Sequence, residues 1–243
     1  SAADATPADR VAAERARIAA AARSAGRDPD EVCLVAIGKT RGAAELRAVA
    51  EAGVTDFGEN YLQEAVEKQA ALGGWVGARG LTWHFVGALQ SNKTRPVAEH
   101  FDWVHTVDRE KIARRLAQQR PRARGPLQLC LQVNLDAEPS KAGLAPDEVA
   151  PLLAEIAGLE GLRVRGLMAI PAPREEPAAQ QAAFGRLAEL RDRLAQAVPQ
   201  APLDVLSMGM SGDLEAAIAA GATHVRIGTA LFGPRPRKEP ARP

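Results

Sequence analysis

Tyrosine, cysteine and histidine are scarce in this chain of 243 residues, which has one, two and four of them. The cysteines, Cys33 and Cys130, each lie inside an apolar run, VCLVAI and LQLCLQV, without metal-ligand spacing. They read as buried structural thiols and suit a reducing cytoplasm. His84, His100, His105 and His224 are scattered and do not supply the histidine and carboxylate cluster that a metal-dependent barrel hydrolase needs. Neither sign of charge is in excess: 31 Lys plus Arg against 30 Asp plus Glu leave +1. A nucleic-acid backbone therefore has no basic surplus to meet. No apolar run approaches the ~20 residues that span a bilayer, and the N-terminus, SAADATPADR, lacks the basic-then-apolar order of a secretory signal. G-x-G-x-x-G follows no strand, which counts against a dinucleotide-binding open sheet.

What the chain does have is regular alternation. After an Ala- and Arg-rich helix over 8–25, short β-branched runs begin at VCLVAI (32–37), TDF (55–57), TWHFV (82–86), DWVHTV (102–107), LQLCLQVN (127–134), RVRGLMAI (163–170), LDVLSMG (203–209) and HVRIG (224–228). Helical segments separate most of them, at 43–52, 59–71, 109–119, 146–157, 178–197 and 213–220. Eight strands in alternation with helices predict a parallel sheet closed into a single-domain (β/α)8 barrel with an extra N-terminal helix, over residues 1–234. The tail PRPRKEPARP is too rich in proline and charge to join a core, so 235–243 is expected to be disordered.

In such a barrel the chemistry gathers where the C-terminal ends of the strands meet. Lys39, Asn60, Asn134, Met168, Ser207, Arg226, Gly228 and Thr229 all stand at or just beyond strand ends. A partly desolvated mouth disfavours an ammonium, which makes Lys39 a Schiff-base candidate; from position alone a snorkelling lysine is the ordinary reading. Gly209 and Gly228 expose backbone amides beside the hydroxyls of Ser207 and Thr229, a plausible phosphate cup or else common αβ turn chemistry. Ser211 reads as the N-cap of the next helix, with Asp213 in its first turn. Arg226 alternates with apolar neighbours and needs buried partners, either a ligand or a salt bridge. His84, between Trp83 and Phe85, fits a satisfied core histidine as well as a site; His100 and His105 look structural and His224 has no evident role.

The stretches GENYLQE (58–64), WHFVGALQSNK (83–93), SMGMSGDLEAAI (207–218) and VRIGTALFG (225–233) resemble the pyridoxal phosphate homeostasis proteins, which are similar to the barrel domain of alanine racemase standing alone. The resemblance runs from Val32 to Pro234. It implies that pyridoxal 5′-phosphate (PLP) is held covalently on Lys39, that Asn60 and His84 line it, that Met168 packs near its ring and that Arg226 faces the pyridine nitrogen. Ser207, Gly228 and Thr229 would take the phosphate, and Ser91 and Asn92 would rim the mouth. QVNLDAEPSKAG sets Lys141 and Gly143 near the opening, with Lys141 a second amine able to take up aldehyde. Gly38 stands where the family usually has Ser, Ala88 where Pro is common and Gly212 where an acid is common; none of these removes a proposed contact.

The implied function is intracellular PLP homeostasis: the chain buffers the cofactor or delivers it to apo PLP-dependent enzymes. The alternative is a PLP enzyme such as a slow racemase. Alanine racemase pairs its lysine with a tyrosine from a second domain, whereas the single tyrosine here, Tyr61, adjoins Asn60, and an arginine at the pyridine nitrogen weakens carbanion stabilisation. Without that second domain a monomer or a weak association is expected, in the cytoplasm.

Overall fold

In a computed structural model that describes residues 4–139 and 141–235, the strands β1 (Cys33–Ile37), β2 (Asp56–Glu59), β3 (Thr82–Phe85), β4 (Trp103–Val107), β5 (Leu127–Gln132), β6 (Leu162–Met168), β7 (Val205–Ser207) and β8 (His224–Ile227) pair in sequence order. All pairs are parallel, and β8 closes on β1 through Cys33↔His224 and Val35↔Arg226. The (β/α)8 barrel expected from the alternation is the fold. Helices α1 (Pro7–Ser24), α2 (Ala43–Glu51), α3 (Leu62–Leu72), α4 (Thr94–His100), α5 (Glu110–Gln119), α6 (Pro146–Ile156), α7 (Pro177–Ala197), α8 (Leu214–Ala220) and α9 (Thr229–Phe232) complete the order. Residues 236–243, most of the tail expected to be disordered, lie outside the described residues.

The leading helix α1 starts at a capping box: Asp9 N–H donates to Thr6 Oγ1 at 3.1 Å and Thr6 N–H to Asp9 Oδ2 at 3.0 Å, with Pro7 at the first position. Its buried stripe is Val11, Ile18, Ala21 and Ala22. Arg10 donates to the Leu231 carbonyl and Arg17 to Glu215, which seats α1 against α9 and α8. Two helical details differ from the sequence reading. Residues 94–100 form α4, and α8 begins at Leu214 with Asp213, not Ser211, at its N-cap. The Asp213 carboxylate instead accepts the Met210 N–H at 2.8 Å, so residues 211–213 turn before the helix starts.

The core has two layers. Outside the strands, Phe57, Phe85, Leu129 and Leu167 meet Leu46, Ile112, Leu153 and Leu187 of the helices in one continuous apolar shell. Inside the barrel the apolar content is small: Val35, Ile37 and Val86 in one group, Trp103, Cys130, Met168 and Val205 in another. The polar side chains of Asp56, His84, His105, Ser207 and Arg226 share this interior.

Candidate functional site at the barrel mouth

Beyond β1, Lys39 and Thr40 are exposed. The sequence reading expected a partly desolvated lysine; the buried groups are those that support it. Lys68 of α3, 5% exposed, donates to the Gly38 carbonyl and lies 2.7 Å from Glu59 Oε1 and 2.8 Å from Glu64 Oε1. Glu64 accepts the N–H of Thr40, whose φ of 65° is left-handed. That conformation costs a β-branched residue on the order of 1–3 kcal/mol, so the ionic cluster holds a turn around Lys39 that the chain would not adopt alone. Burial pushes the Glu59 carboxyl up to about 7, against the pull of Lys68.

Asn60, just past β2, is half-buried and its Oδ1 has no hydrogen-bond partner among the described residues. Its backbone is fixed from the next strand end, because a Cβ on Gly87 would come within 2.1 Å of the Asn60 carbonyl oxygen, and Thr106 Oγ1 donates to the Gly87 carbonyl at 2.7 Å. A buried amide end without a partner costs free energy unless a ligand group meets it. At the end of β8, Gly228 and the exposed Thr229 open α9, where the first amides of a helical turn have no partner within the turn.

Arg226 is 4% exposed inside the barrel. Its Nη1 donates to Ser207 Oγ at 2.6 Å and its Nη2 to the Ala169 carbonyl at 3.3 Å. Burial lowers its pKa to about 10, which still leaves a cation at neutral pH. Met168, fully buried, precedes Ala169 in the same interior. Ser207 pairs in register with His224, whereas Gly228 and Thr229 lie four and five residues further along the chain, roughly 13 Å or more toward the mouth at ~3.3 Å per residue. With no exposure and its oxygen bonded to Arg226 and His105 Nδ1, Ser207 is not in one cup with Gly228 and Thr229.

His84 is likewise inside the barrel with no exposure. Its Nε2 is 2.7 Å from Asp56 Oδ1, its Nδ1 is 2.8 Å from His105 Nε2, and its ring stacks on Trp103 at 5.4 Å. Both ring nitrogens are taken by protein, so it lies beneath the mouth rather than lining it. His105 was read as structural and Asp56 was not singled out, yet both join His84 and Arg226 in one network. Asp56, His84, His105 and Arg226 stand at the inward phase of four strands, which only the strand register reveals. Ser91 and Lys93 bound a 3-10 turn ahead of α4, with Asn92 exposed within it. Lys141 is exposed and 3.3 Å from Glu138. Among the described residues no group of three His, Cys, Asp or Glu side chains is arranged for a metal ion, and no helix is long and apolar enough to cross a membrane.

A closed parallel barrel carrying a lysine beyond β1 and a buried arginine on β8 defines a class, and the family of the alanine racemase N-terminal domain matches residues 10–236. Within that class, the chain is 56% identical over 236 residues to the pyridoxal phosphate homeostasis protein of Pseudomonas aeruginosa, covering 97% of this chain and 99% of that one. It is 49% identical over 225 residues to the protein of the same name from Escherichia coli K12, covering 93% and 95%. The solved structure of PipY from Synechococcus elongatus PCC7942 with PLP bound superposes with a TM-score of 0.82 at 40% identity, over 93% of this chain and 100% of that one. The chain belongs to the pyridoxal phosphate homeostasis protein family.

Proposed function

We propose that this chain binds PLP at the barrel mouth, holds it covalently on Lys39, and buffers it or hands it to apo PLP-dependent enzymes in the cytoplasm, acting as a monomer. PLP supplies a reactive aldehyde on an electron-withdrawing ring. The remaining roles belong to the chain. The Lys39 amine would hold that aldehyde covalently, with water as the leaving group. The clamp of Lys68, Glu59 and Glu64 on residues 38–40 fixes the backbone from which that amine extends.

The observation that carries the reading is the half-buried amide of Asn60, one end of which lacks a partner at the same mouth as Lys39. A polar ring substituent satisfies such a group. Arg226, held from below, directs its remaining N–H groups to a ring nitrogen; as a donor it leaves that nitrogen unprotonated and the ring a weak electron sink, which suits storage over turnover. Met168, buried in the same interior, would pack near the ring. For the phosphate we assign the amides at Gly228 and Thr229, joined by the hydroxyl of half-buried Ser211 in place of Ser207: if the register Ser207↔His224 is continued, Ser211 stands level with Gly228. The names of the relatives and the PLP of PipY point the same way.

The test is an absorbance titration with PLP of wild type and Lys39→Ala, followed by borohydride reduction and peptide mapping. A band near the edge of the visible range, reduced onto Lys39 and missing from the variant, is expected. A wild type that gives neither band nor adduct overturns the reading.

A further inference from the structure

Five side chains from five strands form an unbroken line through the barrel: Asp56 on β2, His84 on β3, His105 on β4, Ser207 on β7 and Arg226 on β8. The links are 2.7, 2.8, 2.7 and 2.6 Å. The bond from His105 to Ser207 joins strands three places apart, so it crosses the lumen. None of the four hydrogen bonds is local in sequence.

Counting protons gives the line a direction. A guanidinium only donates, so Ser207 Oγ accepts from Arg226 Nη1. The serine's own proton then goes to His105 Nδ1, the other partner of its oxygen. Burial, followed by the charges of its neighbours, holds His105 neutral, with a pKa well below the ordinary histidine value. A neutral ring with a bare Nδ1 carries its proton on Nε2 and donates it to His84 Nδ1. His84 donates in turn from Nε2 to the Asp56 carboxylate. Burial resists ionisation of Asp56, but the hydrogen bond from His84, helped by those from Cys33 and Thr55, outweighs it and keeps that carboxyl below its ordinary value. Every link has one donor and one acceptor. The reverse order strands the Ser207 proton in a buried site and sets a bare His84 nitrogen against a carboxylate, unless a further proton enters.

Arg226 makes no salt bridge with any carboxylate among the described residues, although it is a buried cation. A buried charge needs compensation. A contacting acid would supply it by drawing the guanidinium aside, whereas an aligned file of dipoles supplies it from a distance and leaves the free N–H groups for a ligand. We infer that Asp56, His84 and His105 are positioning residues for Arg226: they orient Ser207 so that the guanidinium is held beneath the mouth, ready to donate to the lone pair of a heteroaromatic ring nitrogen. The ligand half of this inference rests on the PLP reading above; the internal file does not.

Two measurements on the whole protein test it. Long-range proton–nitrogen correlation of the imidazoles in 15N-labelled, ligand-free protein is expected to show His105 and His84 each protonated on Nε2 and bare on Nδ1. Protonation of His105 on Nδ1 overturns the inference without touching the PLP reading. The second measurement is PLP binding by Asp56→Asn, which keeps an acceptor for His84 and removes the charge. Weakening of about fivefold, the scale of the difference between a charge-assisted and a neutral hydrogen bond, is expected together with a shifted absorbance maximum of the bound cofactor, while borohydride still places the adduct on Lys39. An unchanged affinity and spectrum overturn the positioning role; absence of a Lys39 adduct in wild type is the separate failure of the PLP reading. If Asp56→Asn does not fold, His84→Gln in the same titration decides, with the same two outcomes.

Discussion

The two faces of the barrel wall are built from different chemistry. The outer face is an apolar shell in which Phe57, Leu129 and Leu167 are fully buried against helices. The inner face holds two small apolar groups and, between them, a file of carboxylate, imidazoles, hydroxyl and guanidinium. Burial of apolar area is non-directional and tolerates local adjustment. A buried polar file does not tolerate it, since a missing link leaves its neighbours unpaired. The outer face therefore supplies stability, and the inner face spends some of it to fix where a few polar atoms stand at the mouth.

The sharpest way to break that comparison is to delete volume from each face. Phe57→Ala removes a fully buried ring from the outer shell and is expected to cost about 3–5 kcal/mol in urea unfolding, with Lys39 still able to form the adduct in whatever fraction stays folded. His105→Phe keeps much of the ring volume and removes the middle link. It strands the Ser207 proton and His84 Nδ1, at roughly 1–3 kcal/mol each less what is gained by burying an apolar ring. Its distinguishing effect is weaker PLP binding at equal folded fraction, which Phe57→Ala should not show.

The two regions also respond to acid with opposite sign. Glu59 at the mouth has a folded pKa raised to about 7, so the folded state binds the extra proton. Its contribution is full below the ordinary carboxyl pKa near 4.5 and is lost as pH rises through about 7, on the order of 3 kcal/mol in all. His105 inside the barrel is depressed well below 6.5, so the unfolded state binds the extra proton. Stability from this group is present above 6.5 and falls as pH drops below it, by up to ~1.4 kcal/mol per pH unit. In chemical unfolding at a series of pH values, Glu59→Gln should steepen the loss of stability toward acid between pH 4.5 and 7, and His105→Phe should make it shallower. Equal slopes in wild type and both variants would remove the titration contrast.

The difference between the faces also explains what could be read from the sequence. Strands β1, β3, β4 and β8 were legible to within a residue or two because β-branched runs bounded by glycine or polar residues leave few alternatives. Lys39 and Arg226 stood out because a charged residue at the end of an apolar strand is conspicuous. The file beneath them was not legible. Parallel strands buried on both faces lose the simple alternation that would mark His84 and His105 as inward-facing, and pairing His105 with Ser207 requires the register of every strand between them. The hydroxyl of Ser207 looked like part of a phosphate cup for the same reason: its distance from Gly228 depends on how β7 and β8 pair. Helix α4 escaped notice because TRPVAEH is seven residues long with a proline at its third position.

The smallest expected effect lies at the seam between the two regions, at Gly38. A Cβ there would sit 2.9 Å from Glu59 Oε1 and 3.1 Å from Leu46 Cδ1, so any side chain must displace one polar and one apolar neighbour. Glu59 Oε1 is the far end of a flexible side chain but is pinned by Lys68, while Glu59 Oε2 is buried without a partner. Gly38→Ala therefore brings the crowding with no compensation beyond the reduced freedom of the unfolded chain, worth about 0.4–1 kcal/mol. Gly38→Ser brings the same crowding and a hydroxyl that can donate to the unpaired Oε2, for about 1 kcal/mol more. The serine variant is expected to be the more stable of the two by about that amount and to lie within ~1 kcal/mol of wild type. Chemical unfolding of all three proteins at one pH below the Glu59 titration and one above it measures this. The gap should widen at the higher pH, where Glu59 is ionised and accepts more strongly; a gap independent of pH would mean that the hydroxyl does not reach the carboxylate.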